Sequence, residues 1–120
     1  MPEKRILLVE DERTTRDLLA NVLLAEGYRV DVAKTVAEAM SFLRVGSYAL
    51  VLTDWRLPDG DGMLVADTAH QLGAKTLLMS GYLFQMQGGR ADQHETLMKP
   101  LRPSELVDAV ERSIGKADAV

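Results

Sequence analysis

Short apolar runs alternate along this chain with longer segments in which apolar residues recur at helical spacing. Four runs are rich in Ile, Leu, Val and Met, at residues 5–9, 49–53, 75–79 and 96–98. Such runs are typical of strands covered on both faces. Residues 28–33 instead alternate apolar with charged positions, which predicts a strand with one more exposed face.

Four helices are predicted between and after these strands. Their apolar faces are Leu18, Leu19, Val22 and Leu23; Val36, Ala39, Met40 and Leu43; Met63, Ala66 and Ala69; and Leu106, Val107, Val110 and Ile114. Gly27 and Gly46 end the first two, a capping box at residues 35–38 opens the second, and the last two are expected over 63–72 and 102–114. Residues 57–62 are rich in Pro, Asp and Gly and predict a loop, whereas residues 81–95 predict only a short or mobile helix.

Strands that alternate with helices predict right-handed βαβ units. We therefore expect an α/β fold in which a five-stranded parallel sheet is doubly wound, with helices on both faces.

Composition narrows the class of protein. A length of 120 residues with 47% hydrophobic content predicts one domain over residues 1–120, with a frayed tail at 115–120. The net charge of −4 and the lack of a basic tract argue against direct DNA binding. The chain has no cysteine, and the sequence shows neither a signal peptide nor a membrane-spanning segment, so we expect a cytoplasmic protein.

Chemically versatile residues follow four of the predicted strands. Glu10 and Asp11 follow the first, Asp54 the third, Ser80 the fourth and Lys99 the fifth. The carboxyl ends of parallel strands line one crevice, so these residues are predicted to converge there. Three neighbouring carboxylates repel one another and require a cation, and Mg²⁺ suits their hard oxygen ligands.

This set of groups is suited to phosphoryl transfer. One carboxylate can attack a phosphoryl group and form an aspartyl-phosphate, while Lys99 and the metal neutralise charge on the transferring oxygens. The Ser80 hydroxyl can hydrogen-bond a phosphoryl oxygen in the product.

The motifs that carry these residues resemble the receiver domain of two-component response regulators. They are Val9-Glu10-Asp11-Glu12, the stretch from Asp54 to Gly62, Met79-Ser80-Gly81 and Met98-Lys99-Pro100, and they occur in the family's order over essentially the whole chain. The resemblance implies a CheY-like, flavodoxin-like topology that binds Mg²⁺. It also implies that Asp54 is the phosphoacceptor, that Glu10, Asp11, Asp54 and the backbone carbonyl of Arg56 surround the metal, and that Ser80 and Lys99 contact the phosphoryl group.

The same resemblance implies the partners of the domain. A sensor histidine kinase or a histidine phosphotransfer protein would supply the phosphoryl group, and output would pass to an unknown downstream protein by binding or phosphorelay. The domain would catalyse its own phosphorylation and dephosphorylation without turnover of an external substrate. The family further implies a cis bond between Lys99 and Pro100, and side chains of Arg56 and Tyr82 flanking the phosphate.

The chain departs from the family pattern at two places. Thr96 stands where the family usually has an aromatic ring that moves on activation. The span from Asp54 to Lys99 is a few residues shorter than in many relatives, around the third and fourth helices.

Several other residues are assigned structural roles. Trp55 is expected to be a partly exposed ring, Glu12 to face solvent, and Asp59 and Asp61 to form turns. His70 and His94 have no ligand pattern around them and are expected on the surface. The methionines expected in the core are Met79, Met86 and Met98.

Three alternatives to a receiver remain open at this point. An aspartate-nucleophile phosphatase would need a second Asp two residues after the nucleophile, where Arg56 stands. A flavin-binding module of the same topology would need a phosphate loop rich in Ser, Thr or Gly after the first strand. An unphosphorylated adaptor is the third alternative.

Overall fold

A computed structural model describes residues 4–81 and 94–117 of the chain. Its strands are β1 (Arg5–Val9), β2 (Arg29–Ala33), β3 (Leu50–Asp54), β4 (Arg56–Leu57), β5 (Gly60–Asp61), β6 (Lys75–Ser80) and β7 (Glu95–Met98). Its helices are α1 (Arg13–Ala25), α2 (Val36–Val45), α3 (Gly62–Gln71) and α4 (Pro103–Ile114). The short helix expected between Gly81 and Glu95, together with Tyr82 and Met86, falls outside the described residues.

The strands form the predicted five-stranded parallel sheet, in the order β2-β1-β3-β6-β7. Successive side chains of a strand point to opposite faces. Ile6 and Leu8 of β1 accordingly join one core cluster with α1 and α4, while Leu7 and Val9 join another with α2 and α3. The doubly wound α/β fold with helices on both faces is therefore confirmed.

The interior strands β1 and β3 explain why these parts of the sequence are continuous apolar runs. Ile6 through Val9 and Leu50 through Leu52 are all fully buried, because helices cover both faces of the sheet there. The edge strand β2 is less buried than β1 and β3, but its exposed residues include the apolar Val32, which the alternation of apolar with charged positions did not predict.

The helix boundaries follow from caps in the sequence. The Thr35 hydroxyl accepts a hydrogen bond from the backbone N–H of Glu38 and opens α2 as predicted. Helix α3 begins at Gly62, one residue before the expected start, because the Asp61 carboxylate accepts a hydrogen bond from the N–H of Met63. Helix α4 begins at Pro103, whose ring suits the first helical position.

Two expectations about apolar or loop residues need correction. Met98 was expected in the core, but it is 42% exposed, because β7 is an edge strand with a neighbour on one side only. Met79, on interior strand β6, is fully buried as expected. The predicted loop at residues 57–62 contains a small antiparallel pair, β4 with β5, which closes a tight turn at Pro58 and Asp59.

The residues after α4 pack back onto the turn between α1 and β2. The Tyr28 hydroxyl donates a hydrogen bond to the Gly115 carbonyl at 2.7 Å, and the Lys4 ammonium donates one to the Lys116 carbonyl. Residues 118–120, the rest of the predicted tail, lie outside the described part. Within the ranges 4–81 and 94–117, no helix combines the length and apolar character needed to cross a bilayer.

Candidate functional site

The carboxyl edge of the sheet brings together Lys99 and the carboxylates of Glu10, Asp11 and Asp54, and Ser80 ends the strand β6 at the same edge. Backbone hydrogen bonding continues past the strand ends there: the N–H of Glu10 donates to the Ala33 carbonyl at 3.0 Å, and the N–H of Lys99 donates to the Ser80 carbonyl at 2.9 Å. The N–H of Trp55 likewise donates to the Met79 carbonyl at 2.8 Å. The residue that ends or follows each strand is therefore held by its neighbour in the sheet.

Lys99 joins two of the carboxylates. Its Nζ lies 2.7 Å from Glu10 Oε1 and 3.0 Å from Asp54 Oδ2. The Glu10 side chain is fully buried, and only 8% of Asp54 is exposed. A charge removed from water to this degree requires an opposite charge nearby, which the ammonium supplies.

The two partners of this ion pair respond differently to their surroundings. Burial raises the pKa of Glu10 above its usual range, against the opposing effect of the hydrogen bond from Lys99. Burial alone would lower the pKa of Lys99, but hydrogen bonds from its ammonium to Glu10 and Asp54 outweigh burial and raise that pKa. The ammonium is therefore charged at neutral pH, while a full charge on Glu10 is costly.

A group of three carboxylates lies beside Lys99. One carboxylate oxygen from each of Glu10, Asp11 and Asp54 lies within 4.8 Å of the other two. Glu10 Oε1 is buried and lies 2.7 Å from the Lys99 ammonium. Asp11 is exposed, which leaves the cluster open to solvent. Hard oxygen donors with an open side suit Mg²⁺, which usually keeps several waters.

The backbone of Asp54 is held by a close approach of Gly62. A Cβ atom placed on Gly62 would lie 1.8 Å from the Asp54 carbonyl oxygen, so only glycine fits there. The N–H of Gly62 donates to the Trp55 carbonyl at 2.6 Å, and the Thr53 hydroxyl donates to the Asp54 carbonyl at 3.0 Å. The start of α3 thus fixes the main chain at Asp54.

The loop between β1 and α1 ends at Glu12, whose carboxylate caps the helix. The Glu12 carboxylate caps α1 by accepting hydrogen bonds from the N–H groups of Thr14 and Thr15, at 3.2 and 2.7 Å. Together with the Thr15 hydroxyl, these donors lower the pKa of Glu12. Glu12 is exposed as expected, and its role as helix cap was missed although its position before a helical pattern signalled it.

The turn after Asp54 is tied to two helices by its acidic residues. The Asp59 carboxylate accepts hydrogen bonds from the N–H groups of Val36 and Ala37, at 2.8 and 3.0 Å, and Asp61 caps α3. Both residues lie at a turn as predicted, but their role in capping helices was not predicted. Trp55 is half-buried as expected and packs against Met63, Ala66 and Leu78, whereas Arg56 is exposed.

His94 contradicts the expectation of a surface histidine. It is 6% exposed and lies just before β7, at the opposite edge of the sheet from the acidic cluster. Its Nε2 lies 2.8 Å from Asp67 Oδ1, and its Nδ1 lies 2.5 Å from the Thr76 hydroxyl. The prediction was wrong because both partners come from other elements, α3 and β6, and no local spacing reveals them. His70 is exposed as expected.

The peptide bond between Lys99 and Pro100 is cis. This confirms the geometry that the resemblance implied at the end of β7.

The fold is a doubly wound parallel sheet whose carboxyl edge carries three carboxylates and an ammonium. Residues 6–111 match the family model of the response regulator receiver domain. The chain belongs to this family and is a receiver domain of two-component signal transduction.

A curated relative illustrates the match. The chain is 30% identical over 119 residues to the transcriptional regulatory protein ResD of Bacillus subtilis, and the alignment covers 96% of this chain and 50% of ResD. The chain thus spans half the length of that relative.

Two solved structures share the fold. The response regulator TrrA of Thermotoga maritima, in complex with Mg²⁺ and BeF, has a TM-score of 0.81 and 32% identity, covering 91% of this chain and 97% of that one. The receiver domain of the hybrid histidine kinase CckA has a TM-score of 0.77 and 29% identity, covering 92% and 98%. The family is thus linked to histidine kinases.

Proposed function

We propose that this domain accepts a phosphoryl group on Asp54 from the phosphohistidine of a sensor histidine kinase or a histidine phosphotransfer protein. The observation that carries the proposal is the convergence of three carboxylates with one ammonium at the carboxyl edge of the sheet. The solved structure of TrrA with Mg²⁺ and BeF supports it by similarity.

Mg²⁺ is the cation that this donor set fits. Glu10, Asp11 and Asp54 supply the carboxylate oxygens, and the resemblance adds the backbone carbonyl of Arg56. When bound, the ion neutralises negative charge on the oxygens of the transferring phosphoryl group.

The transfer step forms one bond and breaks another. A carboxylate oxygen of Asp54 bonds to phosphorus while the bond from phosphorus to the donor imidazole nitrogen breaks, and the imidazole keeps that electron pair. The Lys99 ammonium, already beside Asp54, is positioned to hold a phosphoryl oxygen. The Ser80 hydroxyl, at the end of the neighbouring strand β6, is proposed as a second donor to the phosphoryl group.

Output is proposed to pass to a downstream protein, by binding or by phosphorelay, without turnover of an external substrate. A phosphoryl group adds about 1.5 to 2 negative charges at neutral pH. That charge draws Lys99 and Ser80, the residues at the ends of β7 and β6, and so acts on both strands. Thr96 lies on β7 in place of the family's usual aromatic ring, so output here does not depend on a ring at that position.

The test is phosphorylation by a small donor. The purified chain is incubated with acetyl phosphate and Mg²⁺ and its intact mass is followed with time. We expect the parent to gain one phosphoryl group that is labile to hydroxylamine, as an acyl phosphate is, and to gain none when EDTA replaces Mg²⁺. Asp54→Asn should gain none.

The matched control is Asp17→Asn, which makes the same change on the exposed side of α1. It should be phosphorylated like the parent. A parent that gains no mass under any donor would contradict the proposal and favour an unphosphorylated adaptor.

A further inference from the structure

Arg16 reaches back from the first turns of α1 to the loop that carries the acidic residues. Its Nη1 donates hydrogen bonds to the carbonyl oxygen of Glu10 at 3.2 Å and to that of Asp11 at 3.3 Å. The Arg16 side chain is half-buried. One guanidinium nitrogen therefore holds the main chain of both residues that follow β1.

These contacts determine where the two carboxylates point. Hydrogen bonds from a charged donor are stronger than neutral ones, so they fix the orientation of the peptide planes that they bind. A fixed plane sets the direction of each Cα–Cβ bond, and the carboxylates of Glu10 and Asp11 are thereby aimed at the side of Asp54.

Arg16 can raise metal affinity only through its hydrogen bonds. Its positive charge repels a divalent cation, so a gain in affinity has to come from the way these bonds hold the main chain. Other contacts also hold this loop, because the N–H of Glu12 donates to Glu10 Oε2 at 3.1 Å and the Glu12 carboxylate caps α1. The Arg16 guanidinium thus contacts both Glu10 and Asp11.

We propose that Arg16 is a positioning residue for the divalent cation: it holds the Glu10–Asp11 main chain so that the acidic cluster binds Mg²⁺ with full affinity. This inference rests on the proposed function, because it takes the acidic cluster to be the metal site. Residues that orient metal ligands typically contribute about tenfold or more to metal affinity.

The experiment measures metal binding separately from phosphorylation. Free Mn²⁺, a hard cation with the same ligand preference, is followed by electron paramagnetic resonance and then displaced by Mg²⁺. Arg16→Gln should raise the dissociation constants for both ions about tenfold. Its phosphorylation rate with acetyl phosphate should recover towards that of the parent at saturating Mg²⁺.

Arg13→Gln is the matched control, since it removes the same charge from the same helix at an exposed position. It should bind both ions like the parent. Arg16→Lys, which keeps the charge and a donor, should bind more tightly than Arg16→Gln and serves if the latter fails to fold.

Equal affinities in the Arg16 variants and Arg13→Gln would overturn the role of Arg16. A parent that binds neither ion would instead contradict the proposed function.

Discussion

At the scale of single residues, the site combines charges that stabilise one another only as a set. Glu10 is fully buried, and its burial raises its pKa even though Lys99 lies 2.7 Å away. Removing one partner of a buried ion pair leaves an uncompensated charge, which is far more costly than removing an exposed pair. Burying the charge of Glu10 therefore costs free energy, and the loss of the neighbouring Lys99 ammonium would increase that cost.

Gly62 is the residue for which the structure allows the fewest replacements. In Gly62→Ala the new Cβ would meet the Asp54 carbonyl oxygen at 1.8 Å, so either α3 or the end of β3 must move. We expect a loss of roughly 1–3 kcal/mol in the free energy of unfolding, together with slower phosphorylation by acetyl phosphate. Urea denaturation and the time course of the intact mass measure the two effects.

Gly81→Ala is the control for this change. Its added Cβ would meet none of the described residues within 4 Å, so stability should stay within about 0.5 kcal/mol of the parent. Equal stabilities of the two variants would show that the close approach at Gly62 carries no cost.

The sequence predicted which charged residues meet at the carboxyl edge of the sheet, but not the residues that hold them there. Asp54 and Lys99 follow apolar strands, so the rule for parallel sheets placed them in one crevice. Gly62 looked like an ordinary loop glycine, because its constraint comes from a carbonyl eight residues earlier that approaches only in the folded chain. The contacts of Arg16 were not predictable from the sequence either, because its partners are the backbone carbonyl oxygens of Glu10 and Asp11.

At the scale of elements, the turn between β4 and β5 and the start of α2 form one unit. Asp59 accepts hydrogen bonds from two N–H groups that α2 leaves unsatisfied at its start. These two bonds lower the pKa of Asp59. Negative charge at this end of a helix is also favoured by the helix dipole.

The lowered pKa of Asp59 determines how the free energy of unfolding changes with pH. Asp59 binds a proton less readily in the folded chain than in the unfolded one, so its contribution is present above its ordinary pKa of 3.8. It is lost as the pH falls through the lower folded value. In Asp59→Asn, the deficit in the free energy of unfolding should therefore be largest near neutral pH and shrink in acid, as urea denaturation at several pH values would show.

Asp108→Asn makes the same change on the exposed face of α4 and is the matched control. Its difference from the parent should show no such dependence in acid. A deficit of Asp59→Asn that stayed constant over the whole acid range would contradict the role given to the Asp59 charge.

At the scale of the whole molecule, the buried histidine ties together elements that the acidic site also uses. His94 joins Asp67 of α3 to Thr76 of β6 and immediately precedes β7. Helix α3 begins at Gly62, strand β6 ends at Ser80, and Lys99 directly follows strand β7. The sequence predicted each element, but not the contact between them, because the three residues are separated in the chain.

Replacing His94 should weaken this connection. His94→Ala removes the common partner of a carboxylate and a hydroxyl, and we expect a loss of about 2 kcal/mol in the free energy of unfolding. Faster amide hydrogen exchange in β7 should accompany it. Denaturation and exchange followed by mass spectrometry measure both effects.

His70→Ala is the comparison, since His70 is exposed and, among the described residues, its only shared feature with the tested contacts is an edge-to-face approach of its ring to that of His94, with centroids 6.1 Å apart. It should stay within about 0.5 kcal/mol of the parent. If the two alanine variants proved equally stable, His94 would not hold these elements together.

Strand β7 is anchored at both of its ends. His94 holds one end to α3 and β6, and Lys99 holds the other through Glu10 and Asp54. A strand attached in this way cannot slide lengthwise without straining both attachments. If Lys99 moves toward a phosphoryl group on Asp54, as the proposed function implies, we expect the His94 contacts at the other end of β7 to be strained as well.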